Sequence, residues 1–290
     1  MYPADFDYYR ARSLGDAHAL LAAHPGAKLL AGGHSLIPLL KLRLAAPSAV
    51  IDIGRVPELR GVSISGGEIR IGALTTHAEL AASADLRRSA AALAEAAAIV
   101  GDPAVRNRGT IGGNVAHADP ASDLPTVLVA LGARVIAVGP RGERTIDAGS
   151  FFTGIMTTAL EENEILAAIV VPASAAGEGS AYVKFAHPAS RYAVMGAAAS
   201  VRLKDGICTA ASVAVGGLLP SARRARGVEA ALTGAAPTDA HVATAAAKVD
   251  ADLGREVTGD IFASAEYRRA IAPVYVKRAL LAAAARAGLR

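Results

Sequence analysis

Two glycine pairs with small polar neighbours constrain the fold and function of this 290-residue chain most strongly. The first lies in residues 31–35 (AGGHS), after a short apolar segment that predicts a strand, and the second lies in residues 110–114 (TIGGN). Because glycine has no Cβ atom, the backbone N–H groups of such loops can approach a bulky anion. Two such loops predict one large ligand whose diphosphate is held from two sides, which is typical of a dinucleotide cofactor.

The common nucleotide-binding motifs are missing from the sequence. The chain has no G-x-x-x-x-G-K-[ST] motif of a P-loop NTPase and no G-x-G-x-x-G motif after a strand, as in doubly wound NAD sites. A single glycine pair is most often a simple turn. The prediction therefore depends on the two pairs together and on their hydrogen-bonding neighbours Ser35, Thr110 and Asn114.

Composition and charge disfavour several classes of protein. Hydrophobic residues make up 52% of the chain, but much of that fraction is alanine, and no run reaches the roughly 18–20 apolar residues of a membrane span. Residues 1–7 lack the basic and apolar regions of a secretory signal, which predicts a cytoplasmic protein. The net charge is +4, but the basic residues are dispersed and aromatic residues are few, so nucleic-acid binding is not expected.

Cys208 is the only cysteine. An iron–sulfur cluster needs about four thiolates, so any iron–sulfur chemistry must lie on a partner chain, and we expect Cys208 to be buried and inert. His34 and His117 lack the partners of a standard metal site, so no metal ligand is predicted. No arrangement typical of nucleophilic catalysis stands out, and no catalytic residue is predicted.

The order of predicted elements indicates an α+β protein. In the first part, a helix, a strand, a helical or irregular segment and a second strand follow one another at residues 16–24, 27–30, 36–44 and 49–53. Further on, two hairpins, several helices and a strand are predicted at residues 62–71, 76–81, 89–100, 121–130, 133–146 and 164–171. After a flexible segment at residues 173–180 come three strands, at 180–187, 193–204 and 209–216, and then helices at 227–232, 239–248 and 267–287.

The second glycine pair continues into a specific run, residues 115–125 (VAHADPASDLP). Together with residues 31–38 (AGGHSLIP), this run resembles the FAD-binding medium subunit of molybdenum hydroxylases. That family includes the carbon monoxide dehydrogenase medium chain and the flavin domain of xanthine dehydrogenase. The resemblance covers nearly all of the chain and is greatest to three-subunit bacterial enzymes, in which the flavoprotein is a separate chain.

The resemblance implies a fold of the p-cresol methylhydroxylase and vanillyl-alcohol oxidase (PCMH/VAO) type. FAD would lie between two α+β subdomains, residues 1–55 and 56–175, and a C-terminal α+β domain, residues 180–290, would close over it with a three-stranded antiparallel sheet and helices. The chain would be the electron-transfer subunit of a heterotrimer. Its partners would be a large subunit with the molybdenum–molybdopterin cofactor and a small subunit with two [2Fe–2S] clusters, assembled as a dimer of heterotrimers.

The resemblance also implies the residues that hold FAD. Residues 29–36 would wrap the ADP half with the amides of residues 32–35 on the diphosphate, and residues 110–114 would hold the diphosphate and ribityl from the other side. The full predicted set is Leu29, Leu30, Ala31, Gly32, Gly33, His34, Ser35, Leu36, Ile99, Val100, Thr110, Gly112, Gly113, Asn114, Asp123, Leu166, Lys184 and Tyr192.

Several of these residues have specific implied roles. Asp123 would accept a hydrogen bond from the flavin or ribityl, and Ile99 or Val100 would pack nearby through backbone contacts. Leu166 would line the ring, Tyr192 would shield one of its faces, and the Lys184 cation would stabilise negative charge on the reduced ring.

Alternative roles remain open for some residues. Asp123 could instead cap a helix, Lys184 could be solvated, and Tyr192 could be an aromatic residue at a domain interface. Arg106 and Arg108 could approach phosphate or a partner subunit, and both stay unassigned.

Two other functions also remain open. One is a free-standing flavin reductase resembling the UDP-N-acetylenolpyruvoylglucosamine reductases, and the other is a nucleotide-binding assembly module without redox function. For the leading prediction, the substrate of the complex could be carbon monoxide, an aldehyde or an N-heterocycle. The acceptor could be a quinone, a cytochrome, NAD or oxygen.

Overall fold

The first sheet and its two helices come from the first 52 residues. The computed structural model describes residues 2–288. Strand β1 (Asp7–Arg10), helix α1 (Leu14–Ala23), β2 (Lys28–Leu30), α2 (Leu36–Lys41) and β3 (Ala49–Asp52) follow in order. The strands are parallel, with the buried β3 between β1 and β2. The predicted strand–helix–strand order is confirmed, and the first glycine loop lies between β2 and α2. Strand β1 was not predicted, because its sequence DYYR is polar and mostly exposed at a sheet edge.

A five-stranded antiparallel sheet and its helices form the middle of the chain. In chain order the elements are β4 (Val62–Ser65), β5 (Glu68–Gly72), α3 (His77–Ala82), α4 (Ala84–Ser89), α5 (Ala91–Ala98), α6 (Pro103–Arg108), α7 (Ile111–His117), α8 (Asp123–Ala130), β6 (Arg134–Gly139), β7 (Gly142–Asp147), α9 (Ala148–Phe151), β8 (Phe152–Gly154), β9 (Thr157–Thr158) and β10 (Ile165–Pro172). The sheet order is β4-β5-β10-β6-β7. Both predicted hairpins are present, and strands β8 and β9 form a separate short pair.

Strand β10 connects the first two sheets. It is the central strand of the second sheet and is buried over all but its last residue. Ile165 and Ala167 belong to the core of the first sheet, whereas Leu166 and Ile169 belong to the core beneath helices α5 and α8. The start of β10 therefore lies where the two units meet.

The second glycine pair lies in a helix, so the prediction of a second loop is wrong. Thr110 is the N-cap of α7, and its Oγ1 accepts from the amide of Gly113 at 3.1 Å. A Cβ on Gly112 would come within 2.5 Å of the Ala73 Cβ. Glycine at 112 is thus required by close packing of α7 on residue 73.

The C-terminal unit is a four-stranded antiparallel sheet followed by helices. Its elements are β11 (Glu178–Ala186), β12 (Ala193–Lys204), β13 (Ile207–Gly216), β14 (Arg223–Arg224), α10 (Arg226–Leu232), α11 (Asp239–Ala246), α12 (Val249–Leu253) and α13 (Ala265–Gly288). The two-residue β14 extends the predicted three-stranded meander. Cys208 is buried, as expected, and burial raises the pKa of its thiol.

An ion pair joins the C-terminal unit to the middle of the chain. Arg286 near the end of α13 forms two hydrogen bonds to the Glu95 carboxylate on α5 and also donates to the Ser180 carbonyl. Glu95 in turn accepts from the backbone amide of Tyr182 at 3.1 Å. These bonds fix strand β11 against α5. Among residues 2–288, no helix combines the length and apolar character needed to cross a membrane.

Candidate functional site

A cavity of about 590 Å³ lies where the three units meet. The first unit contributes residues around the glycine loop, the middle unit contributes α7 and the start of β10, and the C-terminal unit contributes residues 190–192. Every predicted FAD-binding residue lines this cavity except Leu30, Ile99 and Lys184. The volume is within the range of about 300–1,000 Å³ that is usual for cofactor pockets.

The first glycine loop presents a row of unpaired backbone donors. Among residues 2–288, no acceptor bonds the amides of residues 32–35, and the Ser35 side chain makes no capping bond. Gly33 has φ +80°, a left-handed conformation that turns successive amides toward one concave surface. Buried or half-buried amides are normally paired, so this row fits an anionic ligand such as a diphosphate.

Gly32 is required by contact between two backbone segments. A Cβ on this residue would come within 2.9 Å of the Gly109 Cα and closer still to the Arg108 carbonyl oxygen. The loop therefore lies directly against residues 108–109. Its glycines serve packing between segments as well as access for a ligand.

The second glycine segment offers side chains rather than amides. The amides of Ile111 and Gly112 donate to the carbonyls of Thr75 and Ala73. Asn114 donates from Nδ2 to Ser122 Oγ at 3.0 Å, while its Oδ1 is buried without a partner among the described residues. An unpartnered polar atom in the wall of a cavity is one that a bound ligand can satisfy. Contacts of this segment with FAD remain a prediction.

A buried ion pair reaches the cavity wall through Asp123. Asp123 is 4% exposed, and its Oδ2 accepts from the Lys184 ammonium at 2.8 Å while its Oδ1 accepts from the Tyr182 hydroxyl at 2.6 Å. Burial raises the pKa of the Asp123 carboxyl, and the charge and hydrogen bond of Lys184 oppose that rise. Burial, followed by the charge of Asp123, raises the pKa of Tyr182.

The surroundings of Lys184 change the interpretation of its charge. Its side chain is 3% exposed, so the alternative of a solvated lysine is wrong. Besides Asp123, its ammonium donates to the carbonyls of Ile99 at 3.0 Å and Arg191 at 2.7 Å. Because its three donors and its charge are satisfied by protein atoms, Lys184 fixes three segments around the cavity. Its position near the flavin remains a prediction.

Asp123 does not cap helix α8. Ser122 is the N-cap, and Asp123 is the first helical residue. Its carboxylate is committed to Tyr182 and Lys184, so the alternative of a capping role for Asp123 is wrong. Sequence reasoning missed Tyr182, although side chains two apart on a strand share a face, and this alternation could have paired Tyr182 with Lys184.

The turn that carries Tyr192 is held by hydrogen bonds. His187 Nδ1 accepts from the amides of Ala189 and Ser190, both at 3.2 Å, and the His187 amide donates to the Tyr192 carbonyl at 2.8 Å. Lys184 fixes the same turn through the Arg191 carbonyl. Tyr192 is 44% exposed and lines the cavity, and its covering of a bound ring remains a prediction.

Two residues near the glycine loop were unassigned or missed. Arg106, unassigned from the sequence, donates to the carbonyls of Val100 at 3.0 Å and Gly101 at 3.2 Å and so holds a segment of the cavity wall. His77, which sequence reasoning missed, lines the cavity at 2% exposure. Its Nδ1 is buried with no hydrogen-bond partner among residues 2–288.

Comparison with known proteins assigns the family. The family described as FAD binding domain in molybdopterin dehydrogenase matches residues 4–174, and the family described as CO dehydrogenase flavoprotein C-terminal domain matches residues 180–283. The chain belongs to the FAD-binding medium subunits of molybdenum hydroxylases. The predicted family and fold are thereby confirmed, whereas the predicted domain boundaries remain a prediction.

Relatives of this medium subunit match along its whole length. The carbon monoxide dehydrogenase medium chain of Hydrogenophaga pseudoflava is 43% identical over 288 residues, 99% of each chain. The 6-hydroxypseudooxynicotine dehydrogenase complex subunit alpha of Paenarthrobacter nicotinovorans is 38% identical, covering 99% of this chain and 97% of the relative. A solved structure of quinoline 2-oxidoreductase from Pseudomonas putida 86 superposes with a TM-score of 0.93 at 33% identity, covering 99% of each chain.

Removing one partner of Asp123 tests the buried network of the medium subunit. Replacing Tyr182 by phenylalanine leaves Asp123 Oδ1 buried without a donor. We expect the free energy of unfolding to fall by about 1–3 kcal/mol, since an unsatisfied buried acceptor carries its full desolvation cost. Urea unfolding measures this change. Tyr192→Phe, at a half-exposed position, serves as the control and should change stability by less than about 0.5 kcal/mol.

The lowered pKa of His77 predicts sensitivity to acid. Burial, then the positive charges of His34 and Arg106, lowers this pKa to about 4 from 6.5. The unfolded chain binds this proton more readily than the folded chain does. The contribution of neutral His77 to the free energy of unfolding, about 3 kcal/mol, is therefore complete above pH 6.5 and is lost as the pH falls toward 4. Unfolding of the FAD-free protein across this range should show the loss, and His77→Leu should remove it. An equal pH slope in both proteins would contradict the prediction.

Proposed function

We propose that this medium subunit carries FAD in the cavity and passes electrons from [2Fe–2S] clusters of a small partner subunit to an external acceptor. The observation that carries this proposal is the row of four amides, residues 32–35, to which no residue of the described part of the chain bonds, at the wall of a cavity of about 590 Å³. Backbone amides in a concave loop are strong ligands for a diphosphate. FAD, when bound, accepts and releases the electrons.

The residues around the cavity have distinct proposed roles. The amides of residues 32–35 bind the diphosphate, and Asn114 Oδ1 and Thr110 contact the diphosphate or ribityl. Leu166 lines the ring and Tyr192 covers one of its faces. Asp123 is held by Tyr182 and Lys184 at the cavity wall, so this wall presents an ion pair with little net charge rather than an isolated cation.

Membership of this family supports a complex with partner subunits. We propose a large subunit with the molybdenum–molybdopterin cofactor, a small subunit with two [2Fe–2S] clusters, a dimer of heterotrimers, and a cytoplasmic location. Relatives are named for carbon monoxide, nicotine and caffeine. Because the substrate is oxidised on the large subunit, this chain is compatible with carbon monoxide, an aldehyde or an N-heterocycle.

The two alternative functions have less support. The relatives named above belong to dehydrogenase complexes, which favours a complex subunit over a free-standing flavin reductase. The match to those relatives over 99% of this chain likewise favours a redox subunit over a nucleotide-binding module without redox function.

Purification with its partners tests the proposal. The chain is produced together with large and small chains of the same family from the same organism, and the complex is isolated through a tag on the medium subunit. We expect noncovalent FAD in the visible spectrum, molybdenum and iron in the same fraction, and bleaching of the flavin absorbance when the complex meets its substrate. A complex without FAD, or FAD that substrate does not reduce, would contradict the proposal.

A further inference from the structure

We propose that His77 binds the diphosphate of FAD through its Nε2, beside the amides of the first glycine loop. This inference rests on the proposed function. It adds a side-chain donor at a position to which neither sequence motif points. Histidine at 77 is then retained for the ligand rather than for packing.

The position of the ring follows from contacts among three backbone segments. A Cβ on Gly109 would come within 2.8 Å of His77 Cδ2 and 3.0 Å of His77 Nε2. A Cβ on Gly32 would in turn lie 2.9 Å from the Cα of this same Gly109. The His77 amide also donates to the Gly109 carbonyl at 3.0 Å. Gly109 therefore lies between the imidazole of His77 and Gly32, the first residue of the amide row.

The hydrogen bonding of the ring is incomplete without a ligand. Nδ1 is enclosed and unpartnered, and no described residue bonds Nε2. Since the residue is 2% exposed and lines the cavity, Nε2 is the ring nitrogen that a ligand can reach. Buried polar groups are nearly always paired in native proteins, and an apolar side chain here would avoid the desolvation cost. A ligand atom that accepts a hydrogen bond from Nε2 explains why a histidine occupies this position.

The surroundings of the ring suit a neutral donor to an anion. Burial, followed by the effects of His34 on the glycine loop and Arg106 on α6, lowers the pKa of His77 to about 4. The imidazole is therefore neutral near pH 7 and donates without needing a buried counter-ion. Arg106 donates to two backbone carbonyls of the cavity wall, and its positive charge acts on this part of the site.

Substitution of His77 separates a ligand role from a structural role. For His77→Leu we expect at least about tenfold weaker binding of FAD, the loss typical of a hydrogen bond to a charged group. ADP, which has the diphosphate without the flavin, should weaken by a similar factor. The FAD-free variant should unfold at the same temperature as the wild type or higher, because an unpartnered buried nitrogen is removed. His77→Gln, which keeps an N–H donor, should recover part of the affinity.

The measurements are fluorescence titration of the full-length FAD-free chain with FAD, competition by ADP, and thermal unfolding. His18→Leu is a matched control, because the ring nitrogens of His18 are also buried but the residue does not line the cavity. Its FAD affinity should equal that of the wild type. If His77→Leu does not fold, His77→Gln and His77→Asn decide by the same comparison of FAD and ADP.

Three results would overturn the inference. The first is an unchanged FAD affinity in His77→Leu, and the second is weaker binding of FAD with unchanged binding of ADP. The third is a fall in the unfolding temperature of the FAD-free variant together with the loss of affinity, which would indicate a structural role. Failure of the wild-type chain and its complex to bind FAD would instead contradict the proposed function, and the inference would fall with it.

Discussion

Replacing Gly32 by alanine is expected to abolish retention of FAD by the purified protein. The new Cβ would overlap the Arg108 carbonyl and lie 2.9 Å from the Gly109 Cα, and both contacts are with backbone that cannot rotate away. The loop must then move from residues 108–109 and carry its row of amides with it. Losing two hydrogen bonds to a charged group, at about 1.5 kcal/mol each, weakens binding by about a hundredfold.

The effect on FAD should exceed the effect on folding, because the displaced loop lies at the cavity rather than in a core. The FAD content of the purified variant and its Kd from fluorescence titration measure the change. Gly149→Ala is the matched control, since a Cβ there meets no atom within 4 Å and its φ is ordinary. Retention of FAD by Gly32→Ala at the wild-type level would contradict the placement of the diphosphate on this loop.

Replacing Lys184 by methionine is expected to destabilise the protein by about 3–5 kcal/mol, because it leaves the buried Asp123 carboxylate without its counter-charge. It also removes the bonds to the Ile99 and Arg191 carbonyls, so the Tyr192 turn loses one of the hydrogen bonds that hold it. Urea unfolding and the FAD content of the variant measure both consequences.

The pH dependence of this deficit has a definite sign. Without Lys184, the raised pKa of Asp123 rises further. A carboxyl with a raised pKa in the folded state is accommodated when protonated, and its penalty grows as the pH rises from the ordinary pKa of an aspartate to the raised pKa. The deficit should therefore be smaller at pH 5 than at pH 7.5. The double variant Lys184→Met with Asp123→Asn should recover much of the stability. A deficit independent of pH, or no recovery, would contradict the assigned ion pair.

The sequence was sufficient for the features that depend on local pattern and specific motifs. The hairpin turning at Gly66–Gly67 has the predicted strands on both sides, because the glycines allow φ of +58° and +78°. The family followed from residues 31–38 and 110–125, and most of the predicted site residues meet at one cavity because those motifs are built around it.

Features that depend on tertiary contacts were not predictable. The sequence predicts a loop at Gly112 and Gly113, whereas the Thr110 cap and packing on Ala73 place them in helix α7. His77 reads as an ordinary helical residue, because its burial and missing partner exist only once Gly109 lies against it. Lys184 reads as a free cation, since its partner Asp123 is 61 residues away in sequence.

A structure of the protein with FAD bound tests the central claim most directly. We predict diphosphate oxygens within hydrogen-bond distance of the amides of residues 32–35, with the flavin ring beside Leu166 and beneath Tyr192. A diphosphate bound elsewhere, with those four amides still unpaired, would contradict the account.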